Sequence, residues 1–474
     1  MCPYLDAITE DNMSLFTDLY ELTMCASYFD NEKTEQATFD LFVRRLPENR
    51  SYLLFAGLEQ VLLYLKSIRF TDRHLDYLKK QGFRRSFLEY LRDFEFTGDV
   101  WSMPEGSVAF PSEPLIRVTA PIIEAQIIET FLLNTINLQT MIATKASRVV
   151  QAAQGKPVIE FGLRREQGID AGMKVARASY IAGAMGTSNV LAGMTYNIPI
   201  FGTMAHSFIM AYENEIDAFR DFVKTFPDKS TLLIDTYNDI KGAENAATIA
   251  KELDAKGCKL GGVRLDSGDL AEISKKVRQL LDEKGLGYVS IFASGDLDEY
   301  RIDELLRNEA RIDAFGVGTR MGTSADRPYL DVIYKLCETE DPCGAYSPIM
   351  KLSEGKTTLP GRKQVWRFKN ENGNLKKDVI ALADEKLEAE SLLNQVMEKG
   401  KITVELPSLR EIRSAAKENL FKLPIEFKKF ENPKIYPVEQ SKNLQELTWS
   451  LTKRLNKTEP EEIGKRRTSQ QVNW

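Results

Sequence analysis

Histidine is nearly missing from this chain: 474 residues hold two, His74 and His206. The H-E-x-x-H, G-x-S-x-G and G-x-x-x-x-G-K-[ST] patterns are absent as well. Their absence removes zinc proteases, α/β-hydrolases and Walker-type ATPases. Cysteine is scarce and odd in number at five, with no C-x-x-C pair. The six-residue step from Cys337 to Cys343 has no strong metal precedent, so scattered reduced thiols are expected. There is no basic excess, with 63 Lys and Arg against 69 Asp and Glu and a net charge of −6, which argues against nucleic acid as a partner. No run of 18 apolar residues occurs, so no membrane span is expected. The first residues, "MCPYLDAITEDNMSLF", carry acids where a signal peptide carries lysines and lack an apolar core. A cytoplasmic location is the expectation.

What is present is an ordered alternation. Apolar runs "PVIEFGL", "IPIFGT", "STLLIDT", "KLGGVRL", "YVSIFAS" and "IDAFGVG" read as strands, the last five beginning near residues 198, 231, 260, 288 and 313. Between them lie helical patterns such as "IDAFRDFVKTF", "AENAATIAKELDAKG", "LAEISKKVRQLLDEKG" and "DEYRIDELLRNEA", two of which close on Lys-Gly. Asp269 is placed to cap the third. The spacing suits βαβ units, and strands apolar throughout suit a sheet covered on both faces. An irregular TIM-like α/β barrel over residues 157–345 fits at least as well as an open doubly wound sheet. Residues 1–156 read as an N-terminal α+β domain, and residues 346–474 as a C-terminal segment packing on it, with a mobile tail from about residue 455.

Polar and Gly-rich clusters stand at the C-terminal end of one strand after another. They hold Arg164 and Arg165; Thr203, His206 and Ser207; Asp235; Arg264, Asp266 and Ser267; Ser294 and Gly295; and Gly316, Gly318 and Thr319. In parallel α/β folds these ends share one face, so the clusters should converge on one site. Arginines and Gly-rich turns before helices suit phosphate or carboxylate. "GVGTRMG" places its third glycine one position late for a dinucleotide fingerprint. Asp235 and Asp266 could orient an imidazole, hold ribose hydroxyls or share Mg²⁺ with a phosphate ligand. Bland roles compete: a helix-capping role for Asp266 and a salt bridge for Arg165. For His74, the charged neighbours in "FTDRHLDYLKK" predict a solvated helix face.

The motifs "TDLYELTM", "EFGLRREQGIDAG", "GTMAHSF", "LIDTY", "GVRLDSGDL", "FGVGT" and "KTTLPGRKQVWR" occur in one order over residues 17 to about 367. Together they resemble the nicotinate phosphoribosyltransferase family. The resemblance implies a type II phosphoribosyltransferase barrel. It also implies conversion of nicotinate and phosphoribosyl pyrophosphate to nicotinate mononucleotide and pyrophosphate in NAD salvage, coupled to ATP hydrolysis, with Mg²⁺ held mainly by substrate phosphates. By the same resemblance His206 is the phosphate acceptor, and Asp235 and Asp266 orient it or bind the ribose side. Tyr20 stacks on the pyridine ring from the second subunit of a homodimer, and Phe161 forms the other side of that sandwich. Thr203 and Arg264 match the nicotinate site. Thr319 matches a phosphoribosyl pyrophosphate position, and Arg164, Gly295, Gly316 and Gly318 bind the anionic parts of that substrate. One departure stands out: Asn238, in "DTYND", where the family commonly has aspartate. The alternatives are a nicotinamide phosphoribosyltransferase and, more remotely, a TIM-barrel lyase acting on a phosphorylated substrate. An aldolase-type lyase would need a Schiff-base lysine, and no strand-end cluster contains one.

Overall fold

The continuous apolar runs of the middle of the chain form a parallel sheet in a computed structural model, which describes residues 8–228, 230–341, 343–353 and 355–466. Across the sheet the order is Gly186–Thr187, Val158–Glu160, Ala314–Val317, Ser290–Ala293, Gly262–Leu265 and Thr231–Leu233. Every neighbouring pair is parallel. Leu232, Leu233, Val263, Leu265, Ile291, Ala293, Phe315 and Val317 are fully buried, as strands covered on both faces require.

The expected strand at "IPIFGT" is reduced to a single parallel bridge, Thr187 to Ile200. Its neighbour is the two-residue Gly186–Thr187 strand, too short to leave a periodic signature. The bridge still extends the sheet by one step. Beyond it, His206 Nδ1 meets Thr236 Oγ1 at 3.1 Å, just past the opposite edge strand Thr231–Leu233. That contact brings the two edges toward each other at the C-terminal ends, in keeping with an irregular α/β barrel rather than an open doubly wound sheet.

The crossover helices sit where the sequence pattern puts them: Glu215–Thr225, Asp239–Asp254, Leu270–Glu283 and Glu299–Arg307. Asn238, Asp269 and Asp298 cap the last three through side-chain oxygens that accept backbone N–H bonds. The variant Asn238 thus serves as a helix cap, accepting from Lys241 N at 2.9 Å, and Asp239 opens the helix behind it.

The chain before residue 157 builds an antiparallel sheet that it later rejoins. Its strand order is Tyr346–Pro348, Val332–Glu340, Gln36–Val43, Ile116–Pro121, Asp99–Ser102, Asn394–Glu398 and Lys401–Ile402. The stretch leaving the barrel thus pairs with Gln36–Val43, and the C-terminal segment pairs with Asp99–Ser102. The long helix Glu129–Ala152 fastens this part to the barrel. Its buried Lys145 reaches Glu299 at 2.6 Å and Asp326 at 2.8 Å, and Arg148 reaches Glu299 at 2.9 Å. Removing one partner from such a buried set costs about 3–5 kcal/mol, because a charge is left unpaired.

The final helix runs Lys442–Arg466, and the rest of the tail, residues 467–474, lies outside the described residues. So does Cys2. His74 is buried at 5% exposure, not solvated. Its ring nitrogen Nδ1 pairs with Ser14 Oγ and accepts from Thr71 N, each at 3.2 Å, so the imidazole closes a helix N-terminus against the core. Among the described residues, no helix is long and apolar enough to cross a membrane.

Candidate active site

At the C-terminal ends of the barrel strands lies a cavity of about 900 Å³. Phe161, Arg164, Thr203, His206, Arg264 and Asp266 line it, as do Gly295, Gly316, Gly318 and Thr319. The clusters expected to converge therefore do so. Arg165, Ser188 and Ser294 share the lining. Four expected residues stand outside the lining. Asp235 lies just behind the wall with Ser267 bonded to it, Ser207 is in the short helix His206–Met210, and Tyr20 is on the Leu19–Asp30 helix, half exposed.

Arg264 is the hub. Nε donates to Ser294 Oγ at 2.8 Å, Nη1 to Thr203 Oγ1 at 3.0 Å, and Nη2 to Asp266 Oδ1 at 2.7 Å. Three strand ends are thereby tied to one guanidinium, whose carbon lies 5.8 Å from the Phe161 ring centroid. Burial pushes the Asp266 carboxyl up. Hydrogen bonds from Ser294 and Arg264, with the charges of Arg264 and His206, outweigh burial and hold it below the usual carboxylate range. Asp266 is therefore ionised, and it caps no helix; Asp269 does that.

Asp235 braces this arrangement from behind. Its Oδ2 accepts from Asp266 N at 2.9 Å and from Ser267 Oγ at 2.7 Å, while its buried Oδ1 has no hydrogen-bond partner among the described residues. The hydrogen bond to the His206 ring comes from Thr236, the next residue along. Thr236 was not among the sequence candidates, although it follows Asp235 directly in "LIDTY". With Nδ1 engaged by that hydroxyl, Nε2 is the ring atom left for chemistry.

The remaining wall is built for anions. Arg164 and Arg165 lie in the turn Leu163–Arg165 and are exposed to the cavity. Among the described residues, neither pairs with a carboxylate. Two glycines of the lining, one in a turn and one in the strand Ala314–Val317, hold places no side chain could take. Gly295 has φ +92°, and a Cβ there would lie 1.9 Å from Asp266 O, so a side chain is excluded twice over. A Cβ at Gly316 would lie 2.7 Å from Phe161 Cδ2 and 2.8 Å from Phe292 Cε1; its absence lets the Phe161 ring lie against the strand. Among the described residues, no group of three or more His, Cys, Asp or Glu side chains could hold a metal ion.

Comparison with known proteins follows the same order of segments. Residues 15–137 match the nicotinate phosphoribosyltransferase N-terminal domain, residues 157–339 the nicotinate phosphoribosyltransferase family, and residues 386–448 its C-terminal domain. The chain is 46% identical over 438 residues to a nicotinate phosphoribosyltransferase of Mycobacterium tuberculosis, pncB2, covering 92% of this chain and 93% of that protein. It is 41% identical to the nicotinate phosphoribosyltransferase of Bacillus subtilis, covering 92% and 94%. Its structure superposes on the crystal structure of human nicotinic acid phosphoribosyltransferase with a TM-score of 0.82 at 29% identity, covering 92% of this chain and 99% of the human one.

Proposed function

The chain belongs to the nicotinate phosphoribosyltransferase family, and from that premise we propose that it joins nicotinate to phosphoribosyl pyrophosphate, releasing nicotinate mononucleotide and pyrophosphate, with ATP hydrolysis coupled through His206. The observation that carries this reading is the Arg264 hub: a cation fixed by three strand ends, beside an aromatic ring and sharing one cavity with two arginines that, among the described residues, pair with no carboxylate.

Each group has a distinct task. The nicotinate ring lies against Phe161, with its carboxylate toward Arg264 and Thr203. A charge-assisted hydrogen bond of this kind is worth about 1.5–3 kcal/mol, and the uncharged amide of nicotinamide forfeits much of it. Tyr20 of the partner subunit closes the other face of the ring; its half-exposed place on this chain leaves it available to a second copy. The ring nitrogen attacks C1 of the ribose with its own lone pair, so no general base is required. As the C1–O bond breaks, positive charge builds on the sugar and negative charge on pyrophosphate. Arg164, Arg165 and the backbone of the Gly295 and Gly318–Thr319 turns are already placed for that negative charge, so stabilising it needs little rearrangement.

Mg²⁺ fits as an ion carried chiefly by substrate phosphates, since such ions take one or two protein carboxylates rather than a full cage. Asp266, ionised, and Asp235, with its unpartnered buried Oδ1, are the carboxylates that would hold it. When bound it neutralises charge on the leaving pyrophosphate. For coupling, His206 Nε2 takes the γ-phosphoryl group of ATP and ADP departs; later hydrolysis of the phosphoimidazole returns the histidine and releases phosphate.

Product analysis tests the assignment. The protein is incubated with phosphoribosyl pyrophosphate, Mg²⁺ and ATP, and with either nicotinate or nicotinamide. Nicotinate mononucleotide is the expected product, formed much faster than nicotinamide mononucleotide. Equal or greater use of nicotinamide overturns the substrate assignment.

A further inference from the structure

Behind the arginine turn two glutamates meet out of water. Glu160 ends the strand Val158–Glu160 at 1% exposure. Its Oε1 accepts from Gly162 N, and its Oε2 accepts from Thr187 Oγ1 at 2.6 Å. Glu166 follows the turn that carries Arg164 and Arg165 and turns its carboxyl back beside Glu160: the place a Cβ would take on Gly162 lies 2.5 Å from Glu166 Oε1 and 3.0 Å from Glu160 Oε1. Both Glu166 oxygens are buried, and among the described residues no N–H or O–H donates to either.

The Glu166 carboxyl occupies a hollow walled by three glycines on three elements. Its Oε1 lies 2.5 Å from the place a Cβ would take on Gly162 and 2.6 Å from that on Gly322; its Oε2 lies 3.1 Å from that on Gly172. Gly162 belongs to the arginine turn, Gly172 to the helix Ile169–Ile181, and Gly322 to the helix Thr319–Gly322 that opens on Thr319. One carboxyl thus lies against two of the elements that present anion-binding groups to the cavity, the arginine turn and the helix that opens on Thr319.

Among the described residues, no cation attends the pair. On the packed elements, Lys174 bonds to Asp170, Arg177 to Glu105 and Glu59, and Arg320 to Asp296 and Asp298. Arg164 and Arg165 are exposed to the cavity. Two buried carboxyls in contact without a counter-charge cannot both ionise.

We propose that Glu166 is a positioning residue whose neutral carboxyl donates its proton to the Glu160 carboxylate, and that this acid pair holds the Arg164–Arg165 turn and the Thr319 turn in register for the phosphates of phosphoribosyl pyrophosphate. The donors on Glu160 fit: Gly162 N–H, Thr187 O–H and Glu166 O–H all suit an ionised acceptor. Burial first, then the Glu160 charge, pushes Glu166 up to about 9. Burial also raises Glu160, against the bonds from Thr187 and Gly162. The role in catalysis rests on the proposed transfer reaction; the shared proton does not.

Glu166→Gln supplies an N–H in place of the O–H, and Glu166→Ala supplies nothing. For Glu166→Ala the KM for phosphoribosyl pyrophosphate is expected to rise roughly tenfold or more, with a smaller change in kcat, since a small displacement of binding groups is costly. Glu166→Gln should stay within about twofold of wild type. In wild type, kcat/KM for that substrate should fall as pH rises through about 9, and Glu166→Gln should lack that limb. Infrared difference spectra of wild type minus Glu166→Gln at neutral pH should show one protonated-carboxyl band, whatever the fate of the Ala variant. Absence of that band, a Gln variant as impaired as the Ala variant, or an alkaline limb unchanged by Gln would overturn the proposal. A wild type that shows the band and makes no mononucleotide would instead sink the assigned reaction.

Discussion

Replacing Arg264 by methionine removes a charge and a hydrogen-bonding fork while keeping much of the side chain's length. Four internal bonds disappear, to Ser294, Thr203, the Met204 carbonyl and Asp266, and with them the cation beside Phe161. The Arg264 and Asp266 side chains are 15% and 31% exposed, so solvent screens part of the interaction. The stability loss should be about 1–2 kcal/mol, below the 3–5 kcal/mol of a fully buried pair. The protein therefore stays folded at 25 °C, and the activity reads the site. Losing one charge-assisted bond to the ring carboxylate, about 1.5–3 kcal/mol, lowers kcat/KM for nicotinate roughly 10- to 150-fold. Nicotinamide, with no carboxylate to pair, should lose less. Arg264→Lys restores charge without the fork and should fall between. Initial rates of mononucleotide formation against each pyridine, with a thermal melt as control, give the comparison. Equal losses for nicotinate and nicotinamide, or a nicotinate loss under about twofold, would refute the assigned contact.

Gly295→Ala forces a side chain onto Asp266 O at positive φ; a loss of about 1–3 kcal/mol in chemical denaturation is expected, with weakened phosphoribosyl pyrophosphate binding. Thr236→Val removes the hydroxyl on His206 Nδ1 and should slow ATP-dependent turnover more than ATP-independent turnover, read by assays with and without ATP. Glu166 sets a pH dependence of stability. Its folded value, about 9 against 4.5 for the ordinary carboxyl, is raised, so the folded state holds a proton that the unfolded state gives up. The contribution is complete below about pH 4.5 and is lost as pH rises through about 9. Melting temperatures of wild type should accordingly decline relative to Glu166→Gln over that window, and parallel curves would count against a shared proton.

The strands at 158, 231, 262, 290 and 314 were legible because burial on both faces leaves unbroken apolar runs. Gly186–Thr187 was not, since two residues carry no period. Charged neighbours misdirected the reading of His74, whose burial depends on Ser14, sixty positions away. Arg264, His206 and the Gly-rich turns were visible as unusual residues at strand ends, where parallel sheets gather function. The detail of who bonds to whom was hidden. Thr236, not an aspartate, holds the imidazole, because barrel closure sets that contact. Glu160 and Glu166 were not among the sequence candidates; only the three glycines from separate elements reveal a buried hollow.

In the proposed function the strand-end cavity couples phosphoryl transfer on His206 to mononucleotide synthesis. The protein and its His206→Ala variant are incubated with γ-labelled ATP and Mg²⁺, and the label on the protein is mapped and tested for acid lability. Mononucleotide yield is followed in the same tubes after nicotinate and phosphoribosyl pyrophosphate are added. Wild type should carry acid-labile label on the peptide containing His206 and synthesise faster with ATP. The variant should carry none and keep only slow synthesis indifferent to ATP. Equal ATP stimulation in both proteins, or label retained in the variant, would rule out His206 as the phosphate acceptor.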